Sequence, residues 1–257
     1  MTETARTRNS RWIIVLVAIV LLALAAAVAL QARRNRGNDY HAQGSAYLQR
    51  GEYQKAVEVY NKAIELGADL AIAYANRGYA YDGLGKYAQA IADYTKALEL
   101  DPEVAIVYNN RGFARYRQED YAGAIEDYTR AIELDPQYAI AYNNRGSAYT
   151  EQGSFTQAIA DYDQAIELDS TLVEAYGNRG RAYDNLGQVD AAISDYSKAI
   201  ELDPKHATAY YNRAFIYLKS GQKEQAIADF QAVIQYSSSD DVMTHIAKTE
   251  LEALGVK

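Results

Sequence analysis

The chain has 257 residues, 49% of them hydrophobic and 23% charged, and no cysteine. The lack of thiols excludes a disulfide framework, a thiolate zinc site and a cysteine nucleophile, and leaves the compartment open. A formal net charge of −8 argues against a nucleic-acid binder, which normally carries a basic excess.

The first element is apolar. From Trp12 to Leu30 run 19 residues without a charge or strongly polar group, about 28 Å as a helix and close to the hydrocarbon core of a bilayer. Arg6, Arg8 and Arg11 precede the run and Arg33, Arg34 and Arg36 follow it, flanks that suit a membrane span better than a buried soluble helix. Trp12, at its first position, can rest at the lipid–water boundary. The expected order is a basic tail at 1–11, a transmembrane helix at 12–31 and a basic tether at 32–36. A cleaved signal peptide is the alternative: the run exceeds the usual apolar length of such peptides, yet Ala27-Val28-Ala29 looks like a cleavage site. With three arginines on each side, only the α-amino group tips the orientation, toward an extracytoplasmic location for everything after Gln31. Residues 1–36 hold six arginines and one acid, which leaves 20 basic and 33 acidic side chains, a balance of −13, for the rest.

A 34-residue period follows. It is carried by Tyr74-Ala75-Asn76-Arg77-Gly78, Tyr108-Asn109-Asn110-Arg111-Gly112, Tyr142-Asn143-Asn144-Arg145-Gly146, Tyr176-Gly177-Asn178-Arg179-Gly180 and Tyr210-Tyr211-Asn212-Arg213-Ala214. Six units result: 37–70, 71–104, 105–138, 139–172, 173–206 and 207–240. Within each, slots 4, 8 and 11 and slots 20, 24 and 27 carry apolar or small residues at helical spacing, so each unit reads as two helices. Slot 15 is usually Gly (Gly51, Gly85, Gly153, Gly187, Gly221), suited to the left-handed turn that ends a helix. All three prolines, Pro102, Pro136 and Pro204, fall on slot 32 between units.

With Tyr74, Gly78, Tyr81, Ala90, Tyr94 and Pro102 in these slots, the chain resembles the tetratricopeptide repeat (TPR) family. The resemblance implies an all-α fold: a right-handed α-solenoid of six helical hairpins, here preceded by one transmembrane helix. One unit departs from the pattern, with Arg115 in the Tyr slot and Glu119 in the Gly slot. Another departure is systematic: slot 7, usually Leu, is Arg in five units. Each such arginine co-occurs with an aspartate 16 residues on: Arg77 with Asp93, Arg111 with Asp127, Arg145 with Asp161, Arg179 with Asp195 and Arg213 with Asp229. An ion pair across each hairpin is expected, partly exposed and of small worth; duplication of one ancestral unit would give the same pattern. After the last unit, residues 241–257 form the expected capping helix, with Asp240-Asp241 at its start and a stripe of Met243, Ile246, Ala247, Leu251 and Leu254.

No catalytic constellation accompanies this array. The three histidines, His41, His206 and His245, lie far apart, with no zinc-binding spacing. No cofactor, metal or small-molecule ligand is expected, and the chain is read as a non-enzyme. In the family it resembles, the first helices line a concave groove that holds a partner's peptide or helix. The groove slots here contain Ile72, Ile106 and Ile140, then Tyr79, Phe113 and Tyr116, an aliphatic and aromatic strip if exposed and interhelix packing if not. Arg115, Arg117 and Arg181 break the consensus and are candidates to meet a partner's carboxylate. A Lys–Asn clamp for acidic chaperone tails does not occur at the matching slots. The expected function is a membrane-anchored protein–protein interaction scaffold or adaptor; a secreted or periplasmic form freed by cleavage is the alternative. An accessory subunit or an enzyme that merely holds substrate is a remote one.

Overall fold

A computed structural model of the chain describes the backbone of residues 3–67 and 69–256 and the side chains from Leu16 onward. Among these residues there are thirteen α-helices and no strand, grouped in two compact units, Met1–Glu103 and Val104–Lys257. In the first unit α1 (Glu3–Gln49) packs on α2 (Tyr53–Glu65), α2 on α3 (Leu70–Gly83), and α3 on α4 (Tyr87–Leu100). The second unit holds four hairpins. They are α5 (Ala105–Arg117) with α6 (Tyr121–Leu134), α7 (Ala139–Glu151) with α8 (Phe155–Leu168), α9 (Val173–Asn185) with α10 (Val189–Leu202), and α11 (Ala207–Lys219) with α12 (Lys223–Tyr236). A last helix, α13 (Val242–Ala253), packs on α12. The architecture is the expected all-α one of hairpins built on the 34-residue period.

The first helix differs from expectation. Residues 32–36 are not a separate tether: α1 runs through them from the apolar stretch into the first repeat. Gln31 to Arg36 are good helix formers apart from Asn35, and no proline intervenes, so nothing there stops the helix. The side chains of Trp12 and of Arg6, Arg8 and Arg11 lie outside the described residues. Those from Leu16 to Leu30 are exposed, and α1 from Leu16 to Gln49 contains a stretch long and apolar enough to cross a membrane.

Each hairpin closes on one contact. A Cβ built on Gly44, Gly78, Gly112, Gly146 or Gly180 (slot 8) would stand 2.6–3.0 Å from the ring of Tyr60, Tyr94, Tyr128, Tyr162 or Tyr196 (slot 24). The phenol ring therefore occupies the volume that a side chain on the facing helix would need, and all five rings are essentially buried. Alanines at slots 20 and 27 flank the ring at no more than 3% exposure, from Ala56 and Ala63 to Ala192 and Ala199. The final unit changes both partners together, to Ala214 and Phe230. Burial pushes the phenols of Tyr60, Tyr94, Tyr162 and Tyr196 above their ordinary pKa.

The ion pairs form in all five units, but not as partly exposed contacts. Each guanidinium grips its aspartate through two parallel hydrogen bonds of 2.7–2.9 Å. The aspartate side chains are only 3–9% exposed and the arginines 14–19%. In four of the units the third guanidinium nitrogen reaches back one repeat. Arg77 Nη1 donates to Asn61 at 2.6 Å, Arg145 to Thr129 at 3.1 Å, Arg179 to Asp163 at 2.6 Å and Arg213 to Ser197 at 2.7 Å. A slot 4 tyrosine covers each guanidinium and a slot 11 tyrosine joins it at Arg77, Arg179 and Arg213, as Tyr176 and Tyr183 do for Arg179 at 5.6 and 5.9 Å. At Arg77, Arg145, Arg179 and Arg213, slot 7 thus carries a staple that joins both helices of one hairpin to the second helix of the hairpin before it. A leucine could fill the same space but could not make those three polar contacts.

Turns follow the repeat. Gly51, Gly85, Gly153, Gly187 and Gly221 have φ of 69–74°, and Glu119 adopts the same left-handed turn at φ 63°. At the other end of each unit, Asp101, Asp135 and Asp203 are extended, as residues before proline must be. The cap forms at α13, where the Asp241 side chain accepts from Met243 N, while Ala247 and Leu251 bury against Phe230 and Val233. Thr244, absent from the expected stripe, is buried and donates to Ser238 O at 2.9 Å.

Candidate partner-binding face

Local spacing decides which side chains the first helices present. In α5, Ile106 and Phe113 are two turns apart and Tyr116 and Arg117 follow Phe113 by three and four residues, so the four share one side of the helix. Ile106, Phe113 and Ile140 are 55%, 39% and 50% exposed. They do not disappear between neighbouring helices, and large apolar side chains left to water are the informative exception on such a surface. In the first unit Ile72 and Tyr79 are each 47% exposed, with Tyr79 edge-on to Tyr53 at 6.4 Å.

The three arginines separate. Arg115 does not reach this face: its Nη1 lies 3.0 Å from Asp127 Oδ2 and donates to Gly123 O at 3.0 Å. It sits in the slot where other units place tyrosine against the slot 7 guanidinium, so Asp127 receives two arginines, Arg111 and Arg115. Its charge is paired inside the hairpin. Arg117 is exposed, with its guanidinium 5.8 Å from the Phe113 ring centre. Arg181 pairs with Glu151 at 2.9 Å, and the same Glu151 Oε1 accepts from Tyr116 at 3.5 Å. Tyr116, Glu151 and Arg181, from three consecutive first helices, are thereby brought together.

Beneath them runs a ladder of amides. Asn144 Nδ2 donates to Asn109 Oδ1 at 3.0 Å, and Asn178 Nδ2 to Asn143 Oδ1 at 3.1 Å. Each rung links slot 6 of one repeat to slot 5 of the repeat before, and in the first unit Asn76 meets His41 at 3.3 Å in the same way. Asn109 and Asn143 are buried, so their amides need such partners. The next rung would join Asn212 to slot 5 of the third hairpin of this unit, but that residue is Gly177.

Two cavities open along this face. One, of about 210 Å³, is lined by Phe113, Tyr116, Tyr128, Asn143, Asn144, Ser147, Glu174 and Asn178. The other, of about 300 Å³, lies at the missing rung, among Glu174, Gly177, Asn178, Arg181, Tyr196, His206, Thr208, Ala209 and Asn212. They share Glu174 and Asn178. Sequence reasoning named Phe113, Tyr116 and Arg181 on these walls and missed Glu174, Gly177, His206, Thr208 and Asn212. The available signal was a break in slots: slot 2 reads Ile72, Ile106, Ile140, then Glu174 and Thr208, while slot 5 reads Asn109, Asn143, then Gly177. Among the described residues no group of three or more His, Asp or Glu side chains gathers to hold a metal ion.

Comparison with known proteins agrees with this architecture. The family model described as TPR repeat matches residues 44–85, 114–153, 146–187 and 180–221, and the Tetratricopeptide repeat model matches 71–104 and 207–240. No curated protein matches the chain. Among solved structures, the MamA protein is 28% identical over 67% of this chain and 94% of its own, with a TM-score of 0.59. YrrB, described as a TPR protein with an unusual peptide-binding site, is 27% identical over 75% of this chain and 99% of its own, at 0.57. PilF of Pseudomonas aeruginosa, 19% identical over 85% and 99%, shares the fold at 0.71.

Proposed function

Because the chain belongs to the tetratricopeptide repeat family, we propose that it is a membrane-anchored interaction scaffold, whose second unit seats a peptide or helix of a protein partner along α5, α7, α9 and α11. The observation that carries this reading is the exposed Ile106, Phe113 and Ile140 beside two open cavities on consecutive first helices. An apolar strip next to hydrogen-bonding pockets is what a bound chain needs: buried side chains for affinity, amides to hold its backbone in register. In the first unit, Ile72 and Tyr79 offer a second, smaller contact of the same kind. Arg117 and the Arg181–Glu151 pair supply charge at the rim, where it sets orientation and on-rate more than affinity. The likeness to YrrB supports a peptide as ligand. No chemistry is assigned, and no cofactor.

Two measurements test the reading. Phe113→Asp combined with Ile140→Asp should abolish capture of a peptide partner without lowering the melting temperature, since both side chains already face water. Unchanged capture would exclude this face. For the anchor, the exposed apolar part of α1 should hold the full chain in membranes through an alkaline carbonate wash. Intact mass separates the two fates of this segment: loss of roughly the first 30 residues would mean a cleaved signal and a released binding protein. Protease accessibility of the repeats in intact cells reads their side of the membrane, expected to be extracytoplasmic.

A further inference from the structure

Gly177 stands in the middle of α9 for no packing reason. The slot 8 glycines are required because a tyrosine ring fills their Cβ space, whereas a Cβ on Gly177 would meet only His206 Cε1, at 4.0 Å. Its φ is not in the left-handed region either. A glycine inside a helix weakens it relative to alanine, and the two preceding repeats place a buried asparagine at this slot. What the glycine does is keep open the cavity of about 300 Å³ beneath Asn212. That is room for a side chain, not merely for a water, whose share of the liquid is about 30 Å³.

The walls define the chemistry of the occupant. Asn212, with no slot 5 amide to reach, lines the cavity with a side-chain N–H₂, one donor. His206 accepts from Ala209 N through Nδ1 at 3.1 Å, which leaves the proton of the neutral ring on Nε2, a second donor. Arg181 Nε is buried with no hydrogen-bond partner, a third. Against these stands one carboxylate on the wall, Glu174, with Glu151 beyond it already bound to Arg181. An anionic occupant would face two carboxylates, and a cationic one a guanidinium and a row of N–H donors. A neutral group with one strong acceptor and an N–H₂ donor satisfies both sides. We propose that this cavity is a subsite for the carboxamide side chain, Gln or Asn, of a peptide lying along the first helices. That side chain replaces the rung of the amide ladder that Gly177 omits. The inference rests on the peptide-binding reading above and adds the residue the peptide must carry.

The test is a phage-displayed library of random peptides panned on the full-length chain in detergent and, in parallel, on Gly177→Asn, which refills the rung from within. Peptides enriched by the unaltered chain should carry Gln or Asn at one common position, roughly tenfold above the library frequency, the effect of about one net hydrogen bond. Gly177→Asn should lose those peptides by a similar factor while melting no lower than the parent. Asn212→Ala, which removes the ladder donor and leaves the cavity, should erase the amide preference and guards against a folding defect in the first variant. Enriched peptides without a common amide position, with Asp or Glu there, or indifferent to both variants would overturn the subsite while leaving the groove in place. Enrichment of no peptide at all would overturn the groove reading and the subsite with it.

Discussion

At the scale of single residues, the informative positions are those where one repeat departs from its neighbours. Glu119 holds a left-handed conformation at φ 63° where five other units use glycine, and a side chain there costs about 1 kcal/mol. Glu119→Gly is expected to stabilise the protein by about that amount in chemical denaturation. Arg145 and Asp161 are the opposite case, a consensus pair whose aspartate is 9% exposed. The carboxylate raises the pKa of the arginine further, through its hydrogen bonds and against desolvation. Asp161→Asn leaves the guanidinium half-paired and should cost about 2 kcal/mol, well beyond the few tenths expected of an exposed pair. The existence of the pair was legible because Arg and Asp recur together, 16 residues apart. Its burial was not, since exposure depends on the tyrosines of slots 4 and 11 closing over it and on Asn61, Thr129, Asp163 and Ser197 from the repeat before.

Elements are set by simple rules that the sequence displays: helical spacing of small and aromatic residues, glycine at one turn, aspartate and proline at the next. Every repeat helix expected was found. Local rules mislead in two places. The polar residues 32–36 look like a linker, but good helix formers between two helices simply continue them, and α1 is one rod through the first repeat. The cap helix was legible in place and start, while Thr244 was not, because its partner, Ser238 O, lies in the preceding turn and not on the stripe. Two substitutions probe this scale. Gly146→Ala forces a Cβ to 2.7 Å from the Tyr162 ring and should cost about 1–3 kcal/mol, as overpacking does. Asp241→Ala removes the acceptor for Met243 N and should loosen α13 by about 1 kcal/mol, measured as faster amide exchange in that helix.

For the whole molecule, the repeated phenol cores predict a common alkaline limit. Tyr60, Tyr94, Tyr162 and Tyr196 have pKa values raised by burial in the folded state, whereas in the unfolded chain they ionise near 10. Below pH 10 both states keep the proton and stability is unaffected. As pH rises beyond it, only the unfolded state releases protons, so stability falls. Phenolate absorbance from these rings should therefore appear together with loss of helical circular dichroism, not before it. Ionisation of all 24 tyrosines with helicity intact would contradict the buried cores.

The amino-acid sequence by itself determined the period and the hairpins, because both are a matter of spacing along a helix repeated often enough to exclude chance; the arginine–aspartate pairing and the strip it offered only as expectations. Only the tertiary structure decided which way the departures point. Arg115 and Arg181 read alike as basic residues out of pattern, yet one is consumed by Asp127 and the other bridges to Glu151 on the preceding first helix. Gly177 reads as one more glycine, and becomes a cavity only because Asn212 and His206, about thirty residues on, face it across a gap that the neighbouring repeats fill with asparagine. Direction and absence are properties of packing between helices, and a one-dimensional pattern does not carry them.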